Sequence, residues 1–210
     1  MIENGANVNA VTNSGWSPLQ IAMQENLIEI TKSLIKHGAK IEIRDQEIFR
    51  TPLLVAACDN MSEMVNLLIE NGANVDAKDF EGWTSLHFAI QNRNTNVVKM
   101  LIDAGANVDS KCNESRAPLY DPLLIGNQEI VEMLIKAGAN LNGLTIQGDP
   151  LLFPAILYGK VDIVKIVVEA GALIAIRKDG GENEGLFESA LDTKRMVPVK
   201  LMMLHCHNLQ

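Results

Sequence analysis

The sequence predicts an all-α solenoid in which helix-turn-helix units stack one after another and are joined by hairpin-like loops. The main observation is a Gly-Ala dipeptide that recurs every 33 or 34 residues, a spacing typical of repeat architectures. It occurs at Gly5-Ala6, Gly38-Ala39, Gly72-Ala73, Gly105-Ala106, Gly138-Ala139 and Gly171-Ala172. Two further observations, a repeated helix-start motif and the apolar run that follows it, define the unit.

The helix-start motif keeps the same period. It reads Ser17-Pro18-Leu19, Thr51-Pro52-Leu53, Thr84-Ser85-Leu86 and Ala117-Pro118-Leu119, with weaker copies at Pro150-Leu151-Leu152 and Gly185-Leu186-Phe187. A Ser or Thr side chain can accept a hydrogen bond from a free backbone N–H, and Pro at the next position loses none. In the first three copies an Ala follows the Leu by three residues, so both lie on one inward face.

A second helix and a loop complete the unit. The run from Met64 to Ile69 has apolar positions that fit a helix, and Gly72 stands where helices commonly end in the left-handed region. Asn74 to Asp76 is short and extended, and Asp79 to Gly82 has the composition of a turn. The unit is therefore helix, turn, helix and hairpin-like loop.

These residues resemble the ankyrin repeat family. The run from Thr84 to Ala89 matches the signature Thr-Pro-Leu-His-x-Ala at all but one letter, and Asn96 to Ile102 with Gly105 to Asp109 matches its second half. The resemblance covers all but about the last thirty residues. It implies an L-shaped stack with one layer of helix pairs and hairpin tips projecting on one side. It also gives His87 a structural role beside Thr84.

We divide the chain into five repeats between two irregular ends. The repeats span residues 13–45, 46–79, 80–112, 113–145 and 146–180. Residues 1–12 look like a repeat without its helices, so we expect the chain to be a piece of a longer array. Residues 181–210 form a degenerate last repeat, in which Pro198 would cost a regular helix roughly 3 kcal/mol. We expect a loosened cap there; the alternative is a methionine-rich segment that recruits a second partner.

Two prolines also depart from the pattern inside the array. Pro122 takes the Ala position of the fourth repeat and Pro154 precedes Ala155 in the fifth. A proline removes one helical hydrogen bond and crowds the carbonyl four residues back. We therefore expect the first helices of these two repeats to be short or kinked.

Composition excludes several function classes. The formal net charge is −8 and no Lys/Arg cluster is present, so we expect no nucleic-acid partner. Three widely spaced cysteines argue against a disulfide framework and fit a reducing compartment. We expect no signal peptide, and no apolar run approaches the ~20 residues of a membrane helix. The prediction is a monomeric protein of the cytoplasm, with the nucleus left open, that has no membrane partner.

The sequence offers no catalytic constellation, so we predict that the chain is not an enzyme and needs neither cofactor nor metal. Gly180-Gly181 lacks the Lys and Ser/Thr of a phosphate loop. His205-Cys206-His207 has no second Cys/His pair to complete a zinc site. His37 is expected at a helix end, where a cation is favourable.

The loop tips are the predicted binding surface. They run over Thr12–Trp16, Gln46–Arg50, Phe80–Trp83, Asn113–Arg116 and Ile146–Asp149. Exposed aromatic side chains mark interfaces, and Trp and Arg are common binding hot spots. The hypothesis is a partner-binding face made of Trp16, Phe49, Phe80 and Trp83, rimmed by Arg50, Glu81 and Arg116. The alternative is that each aromatic folds back and packs the stack.

A second apolar patch is predicted at usually polar positions: Leu124, Ile125, Leu157 and Tyr158. It is either a further contact surface or compensation for the two prolines. The leading function is a protein-protein interaction module, an adaptor or scaffold. The alternatives are the targeting or regulatory segment of a larger enzyme, channel or host-directed effector, and a structural spacer.

Overall fold

The computed structural model describes residues 6–13, 15–45, 48–145 and 148–172. The predictions for Pro198 and for the last repeat, residues 181–210, lie outside these residues. The described part contains ten helices and no strand, which confirms the all-α class. They are α1 (Pro18–Gln24), α2 (Ile28–Lys36), α3 (Pro52–Cys58), α4 (Ser62–Glu70), α5 (Ser85–Gln91), α6 (Thr95–Asp103), α7 (Tyr120–Ile125), α8 (Gln128–Lys136), α9 (Phe153–Leu157) and α10 (Val161–Glu169).

The chain divides into an N-terminal unit, Met1–Asn113, and a C-terminal unit, Glu114–Gln210. In the N-terminal unit the first helices α1, α3 and α5 pack side by side, and so do the second helices α2, α4 and α6. In the C-terminal unit α7 packs on α9, and α8 packs on α10. Aliphatic residues at equivalent repeat positions, such as Leu19, Leu53 and Leu86, are almost completely buried.

The first helices of the N-terminal unit begin where their capping side chains predict. Ser17 Oγ accepts from the Gln20 N–H at 3.2 Å, while Gln20 Oε1 accepts from the Ser17 N–H at 2.9 Å. Thr51 Oγ1 accepts from the Leu54 N–H at 3.4 Å. These bonds satisfy backbone donors that have no partner inside the helix.

His87 completes the start of α5 in the same way. Its Nδ1 lies 3.1 Å from the Thr84 backbone nitrogen and 2.8 Å from the Thr84 hydroxyl. Because a backbone N–H can only donate, Nδ1 is an acceptor and the proton of a neutral ring is on Nε2. The residue is buried, which agrees with the structural role expected for it.

The second helices end at glycines in the left-handed region, as the Gly-Ala period predicts. The five positions are Gly38, Gly72, Gly105, Gly138 and Gly171, with φ between 82° and 94°. In that region a side chain is costly, and glycine is the residue that adopts it without strain.

The helix starts predicted for the C-terminal unit are too early and therefore wrong. The motif places a start at Pro118 and a weaker one at Leu151, but α7 begins at Tyr120 and α9 at Phe153. Neither preceding position, Ala117 or Pro150, carries a side-chain hydroxyl that could cap a helix.

The later starts also accommodate the two prolines of these helices. Pro122 and Pro154 stand in the first turn, where no N–H donation is required. The expected shortening is confirmed, since α7 has six residues and α9 has five.

Side chains in the loops of the N-terminal unit link each repeat to the next. One polar side chain per repeat accepts a hydrogen bond from a backbone N–H 31 or 32 residues later. The pairs are Asn9 Oδ1 with Lys40, Glu42 Oε1 with Asn74, and Asp76 Oδ1 with Asn107, at 2.9, 2.9 and 2.8 Å. These bonds fix the spacing of successive loops and so position the tips.

Candidate partner-binding surface

Two tips of the N-terminal unit are closed by an aspartate that stands at the same place in its repeat. Asp45 Oδ1 accepts from the Ile48 N–H at 2.7 Å, and its Oδ2 accepts from the Arg50 N–H at 3.0 Å. Asp79 Oδ1 accepts from the Glu81 N–H at 3.0 Å and from the Trp83 N–H at 2.9 Å. Such local bonds to backbone amides hold a turn in one conformation.

Thr12 and Thr145 close their tips by the same means. Thr12 Oγ1 accepts from the Trp16 N–H at 3.1 Å, and Thr145 Oγ1 accepts from the Asp149 N–H at 3.2 Å. This closing role of Thr12 and Thr145 was not among the sequence-based predictions. A signal was present, because Thr12, Asp45 and Asp79 follow one another at the repeat period.

Neighbouring tips of the N-terminal unit are also bonded to each other. The Phe80 N–H donates to the Ile48 carbonyl at 3.3 Å, and the Asn113 N–H donates to the Glu81 carbonyl at 2.9 Å. Gly82 is required at this junction: its φ is +78°, and a Cβ there would lie 2.7 Å from Asn113 Oδ1. The tips therefore present their side chains from a backbone that hydrogen bonds hold in place.

Three of the four predicted aromatic contact residues are exposed. Trp16 is 40 % exposed, Phe49 54 % and Phe80 59 %. Phe49 also has a φ of +57°, an unusual backbone conformation for a bulky residue. Glu81, the acidic residue of the predicted rim, is exposed beside Phe80.

Trp83, the fourth predicted aromatic contact residue, is half-buried and packs inward. Its ring centroid lies 5.2 Å from that of Phe88 and 5.7 Å from that of His87. These separations are in the range of favourable aromatic pairs. At this position the structure has the arrangement in which the aromatic side chain folds back and packs the stack.

Arg50 points toward the next repeat. Its guanidinium carbon lies 4.5 Å from the centre of the Phe88 ring, its Nε lies 3.5 Å from Asp79 Oδ2, and its Nη1 lies 3.3 Å from Cys58 Sγ. The Asp79 side chain is 1 % exposed, so the ion pair is partly buried. Burial raises the pKa of the Cys58 thiol, and the charge of Arg50 opposes that rise.

Arg116, in the C-terminal unit, is half-buried and paired with two acids. It forms ion pairs with Glu114 and with Asp121, the latter at 3.9 Å. Burial raises the pKa of the Asp121 carboxyl, while the charge of Arg116 opposes that rise. Both arginines of the predicted rim are therefore engaged with their own unit.

A groove lies between the first and second tips of the N-terminal unit, along α1 and α3. We call it the α1–α3 groove; its volume is about 360 Å³. Trp16, Met23, Ile48 and Val55 contribute apolar surface, and Asp59 contributes a carboxylate. A volume of this size is at the lower end of ligand-binding clefts and suits one or two side chains of a partner.

The second predicted patch is exposed in the C-terminal unit. Ile125, Leu157 and Tyr158 are exposed, whereas Leu124 is half-buried. Ile125 and Tyr158 hold the repeat position that is polar in the N-terminal unit, where it is occupied by Glu25, Asp59 and Asn92. The same position therefore has opposite character in the two units.

No group of three or more His, Cys, Asp or Glu residues able to hold a metal occurs within the described ranges. None of the helices in the described part of the chain is long and apolar enough to cross a membrane.

A family model of ankyrin repeats in three copies matches residues 45–112, and a model of the single ankyrin repeat matches residues 14–46. No curated protein is significantly similar to the chain.

Proposed function

We propose that this chain, which belongs to the ankyrin repeat family over residues 14–112, is an adaptor or scaffold that binds a partner protein through its loop tips. The family is a non-catalytic interaction module, and we propose no catalytic role for the chain. We also propose that the chain is a monomer in the cytoplasm.

The observation that carries this proposal is the exposure of Trp16, Phe49 and Phe80 on tips whose backbone is hydrogen-bonded. Large aromatic side chains lose apolar hydration when a partner covers them, and they lose little conformational entropy because they have only two side-chain torsions. We propose Glu81, which is exposed next to Phe80 in the sequence, as the acidic rim of this set. The proposal gives Trp83, Arg50 and Arg116 a supporting role, since each is engaged with its own unit.

Affinity purification with the intact chain tests the proposal. We expect specific proteins to be retained from an extract of the cells that make it, and to be lost when Phe49→Ala and Phe80→Ala are combined. Leu27→Ala is the matched control, because Leu27 is an exposed apolar residue outside the tips. Retention of the same proteins by the wild type and by the tip variant would contradict a binding role for the tips.

A further inference from the structure

The α1–α3 groove joins apolar walls to a carboxylate. Trp16 and Val55 are partly exposed on its surface, and Asp59 follows Val55 by one helical turn at the end of α3. A side chain that binds in the groove therefore meets aliphatic and aromatic surface together with a carboxylate.

The charges of the groove are not balanced. Asp45 and Asp59 both line it, and Arg50 is the one cation among the lining residues that the structure describes. The guanidinium of Arg50 lies over Phe88 and beside Asp79, which partly neutralises it. Among the ion pairs of the described residues, none engages the carboxylate of Asp59.

We propose that the α1–α3 groove binds a peptide segment of the partner protein that places Lys or Arg against Asp59 and an apolar side chain beside Trp16 and Val55. The inference rests on the proposed binding function and names the chemistry of its partner. Charge complementarity carries it: a cation next to an apolar group matches both parts of the groove, whereas an acidic segment would meet two carboxylates. The net charge of −8 also favours the approach of a basic segment.

Glu25 provides a matched control for Asp59. Both residues stand at the C-terminal ends of first helices, at equivalent positions of successive repeats. Glu25 is exposed and does not line the groove. Glu25→Gln and Asp59→Asn therefore remove the same charge with little change of shape, and only Asp59→Asn removes it from the groove.

The experiment selects random peptides by phage display on the intact chain and measures the affinity of the enriched peptides by fluorescence anisotropy. We expect enriched peptides to contain Lys or Arg next to an aliphatic or aromatic residue. Asp59→Asn should weaken their binding by about tenfold or more, as expected for loss of a charge-assisted hydrogen bond, and Glu25→Gln by less than about twofold. Replacing the basic residue of the peptide by Gln should cause a similar loss.

Three results would overturn the inference: no enrichment, enriched peptides without a basic residue, or equal losses for Asp59→Asn and Glu25→Gln. The last result would mean that net charge acts at long range and not through contact in the groove. Phe49 and Phe80 do not line the groove, so the extract experiment with those residues is independent. If the extract experiment gives the expected result and the peptide experiment does not, the binding function is supported and the proposal of a basic peptide partner is wrong.

Discussion

Thr31 is a fully buried residue of α2 whose hydroxyl has no hydrogen-bond partner in the described structure. The later repeats place Val65, Val98 and Val131 at the same position. A buried hydroxyl without a partner costs about 1 kcal/mol or more, and valine has nearly the same shape. Thr31→Val should therefore raise the free energy of unfolding by about 1 kcal/mol, measured by urea denaturation.

The reciprocal change at the next repeat serves as a control. Val65→Thr places the same hydroxyl in an equally buried site and should lower the free energy of unfolding by a similar amount. A loss of stability in Thr31→Val would show that the hydroxyl of Thr31 is satisfied.

The effect of Asp121 on the stability of the chain is expected to depend on pH, and the direction of the change follows from its raised pKa. Burial raises the pKa of its carboxyl in the folded chain, so the ionised form is disfavoured there relative to the unfolded chain. Removing the charge with Asp121→Asn should raise stability at about pH 7, where the carboxylate is ionised in both states. The gain should decrease as the pH falls through the raised pKa and disappear below the ordinary Asp value.

Urea denaturation of the wild type and of Asp121→Asn at a series of pH values measures this difference. A gain that is independent of pH would contradict the assignment, and so would a loss of stability near neutral pH. In the second case the ion pair with Arg116 would outweigh the cost of burial.

At the scale of single elements, local chemistry determined which helices the sequence could predict. Ser17, Thr51 and Thr84 cap helices that begin at the next residue, because a hydroxyl and a nearby backbone amide are all that the signal needs. The predicted starts of α7 and α9 are wrong because the motif continues through Ala117 and Pro150, and neither side chain can cap a helix. The hydrogen bonds between repeats were not predicted, since they join residues 31 or 32 positions apart.

Asp76 tests those bonds between loops. Asp76→Ala should lower the free energy of unfolding by about 1 kcal/mol, because the Asn107 N–H loses its acceptor. Asp76→Asn keeps a side-chain oxygen at the same place and should retain most of the stability. Thermal or urea denaturation compares the three proteins, and equal stability of Asp76→Ala and the wild type would exclude a contribution from this bond.

At the scale of the whole molecule, repetition predicted where the tips are but not how each tip side chain lies. Trp16 and Trp83 occupy the same position in their repeats, yet Trp16 is exposed and Trp83 packs on Phe88. The difference follows from their neighbours, since Ile21 stands in the first repeat where Phe88 stands in the third. Whether a tip side chain is exposed or packs inward can be predicted by comparing its neighbours between repeats. Its position in the repeat alone does not predict this.

The inward packing of Trp83 determines which variants can test the binding face. Combining Trp16→Ala with Trp83→Ala would remove an exposed side chain together with part of the packing around Phe88. A loss of affinity in that variant could arise from a loosened third repeat. This difficulty is smaller for Trp16, Phe49 and Phe80, because between 40 % and 59 % of each residue is exposed.

The most direct test is the affinity of a partner captured by the wild-type chain for the triple variant Trp16→Ala, Phe49→Ala, Phe80→Ala, measured by isothermal titration calorimetry. Circular dichroism establishes that the variant is folded. We expect the dissociation constant to rise by about a hundredfold or more, because two binding hot spots at about 2 kcal/mol each already exceed the roughly 2.8 kcal/mol of a hundredfold change. An unchanged dissociation constant in the folded variant would contradict the assignment of the tips as the partner-binding surface.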